Sequence, residues 1–166
     1  KGMWNQSFLC YNPYMSKKIE KNEKGVIKIS VRDLVEFILR EGDIDNRHGR
    51  GASAEAMLAG GRIHRKIQKR MGGNYRAEVP LKYAALDEEE DIELLVEGRA
   101  DGIFEEDGIV TIDEIKGVYM DLERLTEPVA VHMAQAMCYG YFYCCDRNLD
   151  GVRIQLTYCN LETEEI

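Results

Sequence analysis

No stretch of the chain stays apolar for more than a few residues, and a bilayer-spanning helix needs about 20, so a membrane span is excluded by composition. No opening segment joins a basic start, an apolar centre and a small-residue cleavage site, so a secretory signal is not expected. Cysteine pairing is equally hard to find. The five cysteines are Cys10, Cys138, Cys144, Cys145 and Cys159, an odd number with no Cys-x-x-Cys, which argues against a disulfide framework and against a sequence-local zinc knuckle. A cytoplasmic protein with reduced thiols is the expectation. Positive charge is in deficit, with 22 Lys and Arg against 30 Asp and Glu and a net charge of −8. A general basic coat for nucleic acid is therefore excluded, although a local patch can override the total. Internal repeats and low-complexity linkers are also absent. What is present is 45% hydrophobic residues in 166, enough for one domain with a packed core.

The periodicity changes along the chain. Residues 1–25 read as a tail, disordered or foreign to the natural protein, and 26–166 as a single domain whose natural chain is expected to continue beyond Ile166. Residues 26–30 alternate like a short strand. Ser30 with Asp33 three positions on is a helix N-cap pattern, and Val31, Leu34, Val35, Ile38 and Leu39 then recur at helical spacing up to Gly42. Residues 43–52 read as a polar loop, and 54–71 as a second helix closed by Gly72 and Gly73. Strands are expected at 77–83, at 92–99 with 100–104 continuing or bending away, and at 109–116 after an Asp107-Gly108 hairpin turn. A long helix over 125–145 and a last strand over 152–158 complete the order: helices, three meandering strands, a helix, a strand. This is an α/β (α+β) fold, a central mixed β-sheet flanked by helices.

The chemistry concentrates in residues 98–117. Glu114 and Lys116 are two apart on an expected strand, so they share a face, while Asp113 and Ile115 take the other. The hairpin brings Asp101 back toward Glu114. Two carboxylates and an ammonium then converge, as metal-assisted phosphodiester hydrolysis requires. The acids suit a hard cation such as Mg²⁺ or Mn²⁺, the Ile115 carbonyl can add an oxygen ligand, and the lysine can hold water or developing charge. Charges on a central strand are unfavourable unless paired or metal-bound. The plainer alternative is a solvated strand face with a cross-strand ion pair.

Asp101 followed by Glu114-Ile115-Lys116 resembles the PD-(D/E)XK nuclease superfamily. Two further matches favour its RecB-like exonuclease branch: His64 in GRIHRKI, ahead of the aspartate, and Gln135 with Tyr139 in HMAQAMCYGY, after the lysine. The resemblance covers residues 31–166 and implies a restriction-endonuclease-like core. It further implies that Asp101, Glu114, His64 and the Ile115 carbonyl hold Mg²⁺ or Mn²⁺, that Lys116 orients the hydrolytic water, and that Gln135 and Tyr139 position the substrate. Many members carry cysteines for an iron–sulfur cluster. The cysteines here do not follow that spacing, so no iron–sulfur cluster is expected. Arg99-Ala100 stands where the motif proline would be.

Arg62, Arg65, Lys66, Lys69 and Arg70 crowd the helix that carries His64, and are candidates to hold DNA phosphates. Glu78 opens a strand and is a candidate outer group near the metal. His132 reads as structural or surface, and Cys144 and Cys145 as small hydrophobes at a helix end. Residues 120–125 are expected to loop over the site. The leading expectation is a DNA nuclease, an exonuclease in repair or recombination. A helicase domain in the natural chain is a further expected partner, and no membrane is. The alternative is a catalytically silent nuclease-fold module that binds DNA or a protein partner. A third reading is a purely structural α/β domain.

Overall fold

The computed structural model describes residues 3–9, 25–39 and 54–166. The elements in chain order are β1 (Met3–Leu9), β2 (Gly25–Ser30), α1 (Val31–Ile38), α2 (Ala54–Arg70), β3 (Arg76–Asp87), β4 (Ile92–Glu106), β5 (Ile109–Val118), a single 3₁₀ turn (Leu122–Arg124), α3 (Ala130–Arg147) and β6 (Gly151–Asn160). The strands form one mixed six-stranded sheet in the order β1-β6-β5-β4-β2, with β3 also paired to β4. The expected α/β architecture of a mixed sheet flanked by helices is thus observed, including the run of helix, three meandering strands, helix and strand. Among the described residues, no helix is long and apolar enough to cross a membrane.

Local chemistry explains most boundaries. The Ser30 hydroxyl accepts the Asp33 N–H at 3.0 Å and caps α1, an interaction worth about 1 kcal/mol. Asp107 and Gly108 both take positive φ and turn β4 into β5. β4 runs unbroken for 15 residues, so 100–104 continue the strand. α3 starts at Ala130 rather than at 125, because Pro128 disfavours helical geometry at Glu127 and a 3₁₀ turn fills the space before it. Asn148 ends α3 in the left-handed region.

The expected tail over 1–25 needs correction. Residues 3–9 form β1 and pair antiparallel with residues 151–157 of β6. Seven residues without clear period gave no strand signal; what makes them a strand is the edge of β6, which offers a full row of backbone partners. Residues 10–24, the 43–52 loop, Gly42 and His48 lie outside the described residues.

Two cores sandwich the sheet. Val31 and Val35 of α1 and Ala136, Tyr139 and Phe142 of α3 pack with Val96, Ala100, Ile103, Ile112 and Ile154. On the other face Ile63 and Ile67 of α2 meet Ile115 and Cys159. α1 and α3 therefore cover one face, and α2 the other. One feature of the sheet decides where the site lies. Opposite β3, the edge of β4 is shared: residues 92–97 pair in parallel with β2, and 102–106 pair antiparallel with β5. Residues 98–101 pair with neither, so the sheet is open at Asp101.

Candidate metal centre

Asp101 sits at that opening. The β4–β5 ladder stops at the Gly102–Asp113 pair, so the N–H of Ile115 has no strand partner on that side. The Asp101 carboxylate takes it, with Oδ2 accepting from Ile115 N at 2.7 Å. In a strand, the N–H and C=O of one residue leave on the same edge, so the Ile115 carbonyl faces the same opening. The expected approach of Asp101 to the Glu114–Lys116 segment is therefore observed, held by a backbone hydrogen bond.

Glu114 lies on the α3 face and is 2% exposed. Its Oε1 accepts from Lys116 Nζ at 2.8 Å. Its Oε2 is buried and has no hydrogen-bond partner among the described residues. Burial, with the Asp101 charge beside it, raises the Glu114 pKa to about 7, against the opposing pull of Lys116 and His64. A buried carboxylate oxygen left bare is an unstable arrangement unless a proton or a cation meets it. Lys116 Nζ also donates to Gln135 Oε1 at 3.1 Å. Gln135 in turn interacts with the Tyr139 hydroxyl, whose pKa rises to about 12, chiefly through burial and the Glu114 charge. The ring of Tyr139 is 3% exposed and lies across Gly98, where a Cβ would come 2.5 Å from its hydroxyl oxygen. Gln135 and Tyr139 thus anchor the lysine from α3. A groove of about 500 Å³ over the β3–β4 pair, lined by Pro80, Leu81, Lys82, Glu97, Gly98 and Arg99, opens to solvent.

From the opposite face α2 contributes two residues one helical turn apart. His64 Nδ1 lies 3.2 Å from Asp101 Oδ1. Burial pulls its pKa down, but the Asp101 hydrogen bond and charge prevail and the net shift is upward. Gln68 Nε2 donates to the Asp101 backbone oxygen at 3.0 Å and to Glu78 Oε1 at 3.2 Å. Ligand atoms of His64, Glu78 and Asp101 all fall within 4.8 Å of one another. Glu114 stands outside that tight set, drawn toward Lys116. Gln68 was not singled out from the sequence, although its spacing of four from His64 places it on the same stripe.

The basic residues of α2 divide. Arg62, Arg65, Lys69 and Arg70 are exposed. Lys66 is ion-paired with Glu164 in the C-terminal turn, so its charge already has a partner within the chain. Arg62 and Arg70 act on the same glutamate, which places the 62-66-70 row against the acidic end of the chain. Arg65 and Lys69 adjoin the His64–Gln68 stripe and are exposed beside it.

Two further polar groups had no functional assignment from sequence. Asp113, fully buried on the α2 face, accepts from Tyr75 at 2.8 Å, from Thr157 at 2.7 Å and from Gln155 at 3.2 Å. Tyr75 reaches it only because Gly102 has no side chain, since a Cβ there would collide with the ring. His132 Nδ1 contacts the hydroxyl of fully buried Tyr158 at 3.1 Å, and that oxygen accepts the Val129 N–H at the start of α3. Burial and the nearby Lys116 and Arg32 charges lower the His132 pKa to about 4, so it is neutral and structural.

No family model matches the chain, and no curated protein matches it. Among solved structures, one described as "Crystal structure of SSO0001" superposes with a TM-score of 0.57 at 22% identity, over 86% of this chain. This chain spans 65% of the length of that one. At such identity the likeness is one of fold.

Proposed function

We propose that the chain is a divalent-metal-dependent DNA nuclease of the PD-(D/E)XK superfamily with a restriction-endonuclease-like core. The observation that carries this reading is the bare, buried Oε2 of Glu114. It belongs to a carboxylate that shares its field with Asp101, His64 and Lys116. A cation at this centre gives that oxygen the partner it lacks. Carboxylate and carbonyl oxygens with one imidazole suit Mg²⁺ or Mn²⁺. Asp101, Glu114, His64 and the Ile115 carbonyl are the groups that would hold it.

The bound cation would lower the pKa of a coordinated water and offset charge on the phosphate. The chain's own residues supply the rest. Lys116 has three ammonium hydrogens, two of them engaged by Glu114 and Gln135, which leaves one for the attacking water or a phosphate oxygen. Gln135 and Tyr139 fix that ammonium in place. Arg65 and Lys69 hold backbone phosphates as exposed charges, and the groove past Gly98 and Arg99 gives a strand its path. Processing of DNA ends in repair, in a longer chain with a helicase partner, extends this reading.

The test is cleavage of end-labelled single- and double-stranded DNA with Mg²⁺, with Mn²⁺ or with a chelator. Metal-dependent cleavage by the wild type, lost in Glu114→Gln and Lys116→Ala, is the expected result. Metal-independent DNA binding with no cleavage points instead to a silent module. Neither binding nor cleavage leaves a structural domain.

A further inference from the structure

Among the described residues, His64, Glu78 and Asp101 bring ligand atoms from three different elements within 4.8 Å of one another. We infer that Glu78 is itself a ligand of the cation, donating from β3 on the His64 side of Asp101. This deepens the nuclease reading and rests on it.

The placement of Glu78 supports a direct role. The β3–β4 ladder pairs Ala77 with Gly102 and Val79 with Ala100, and Glu78 between them drops out. Its φ is 54°, a left-handed conformation that side-chain-bearing residues seldom adopt. A regular strand at this point would carry residue 78 in the ladder. Gln68 then fixes the glutamate by donating to Oε1, while the same amide nitrogen reaches the Asp101 backbone. The Arg99 Nε lies 3.7 Å from Oε2, a loose contact that a cation can replace. Glu114, which meets the opening at Asp101 from the α3 face and stands outside this set, is the independent sign that a ligand belongs beside Asp101. It is 2% exposed, within the field of Asp101 and His64, and has one oxygen unpartnered. Imidazole plus two carboxylates from three elements is a donor set for Mn²⁺ or Mg²⁺ rather than for a thiophilic ion. Gln68 is a positioning residue: it touches the ligands and not the cation.

The experiment is Mn²⁺ titration of the full chain by electron paramagnetic resonance, with a second readout that separates direct from indirect ligation. Glu78→Gln is expected to weaken Mn²⁺ binding at least tenfold. Glu78 is exposed, so the variant keeps the packing of the core. Loss of an outer group can weaken binding too, so Glu78→Cys is titrated with Cd²⁺. A thiolate-to-metal absorption band in excess of that from the wild-type cysteines is expected only if residue 78 bonds the ion. Undiminished Mn²⁺ affinity in Glu78→Gln, or no new band in Glu78→Cys, overturns the inference while the Asp101–Glu114 centre stands. A wild type that binds no Mn²⁺ overturns both.

Discussion

Asp113 and Glu114 are consecutive residues of one strand, and both carboxylates are withdrawn from water, at 0% and 2% exposure. Strand alternation sends them to opposite faces, and there they meet opposite surroundings. Asp113 finds Tyr75, Thr157 and Gln155, so both its oxygens are satisfied by side chains. Glu114 finds one lysine, and its second oxygen finds no partner among the described residues. Burial raises the pKa of each, so burial alone does not separate them. Satisfaction does: the first carboxylate is a structural tie between β5, β6 and the segment before β3, and the second keeps an oxygen without a partner among the described residues, the one our proposal gives to a cation.

Substitutions on the two faces sharpen the contrast, the largest effect first. Glu114→Gln is expected to lower metal-dependent DNA cleavage by about a thousandfold, on the order of 4 kcal/mol in the barrier, with the metal-free protein no less stable. Kinetics and urea denaturation read the two quantities separately, and an unfolding midpoint that falls sharply would erase the distinction. Asp113→Ala is expected to do the reverse. Buried Gln155 and Thr157 and half-buried Tyr75 lose their acceptor, and the loss of stability is about 3 kcal/mol by denaturant titration, while the folded fraction keeps its Mn²⁺ affinity. Gly98→Ala forces Tyr139 off its seat, with an expected loss of about 2 kcal/mol, read as a lower thermal midpoint.

The smallest effect is in pH. His132 titrates near 4 in the folded chain against 6.5 when free, so the folded state binds its proton less well. The stability contributed by neutral His132 is present above pH 6.5 and is lost as pH falls toward 4, by roughly 1–2 kcal/mol. Stability measured across that window is expected to fall less steeply on acidification in His132→Gln. An unchanged slope contradicts the assignment.

Much of this was legible in the chain. The α/β order followed from changes in hydrophobic period, and the capped start of α1 from Ser30 and Asp33. The approach of Asp101 to Glu114 and Lys116 followed from strand alternation and a hairpin turn. The failures share a cause. β1 carries no periodic signal, because an edge strand is specified by its neighbour's unpaired backbone. The start of α3 was placed five residues early because apolar spacing continued past Pro128. The ties from Asp113 to Tyr75 and Thr157 span 38 and 44 residues, and no local pattern announces them. The departure of Glu78 from the β3 ladder is a property of backbone, invisible in residue type. The ion pair of Lys66 was equally hidden, because Glu164 lies 98 residues away.

The most direct measurement is anomalous diffraction at the manganese edge from crystals soaked in Mn²⁺. A peak within bonding distance of Asp101, next to the bare oxygen of Glu114 and with His64 at its side, is the expected result. An empty map at this opening, at manganese concentrations that saturate ordinary carboxylate sites, would contradict the assignment of a metal centre.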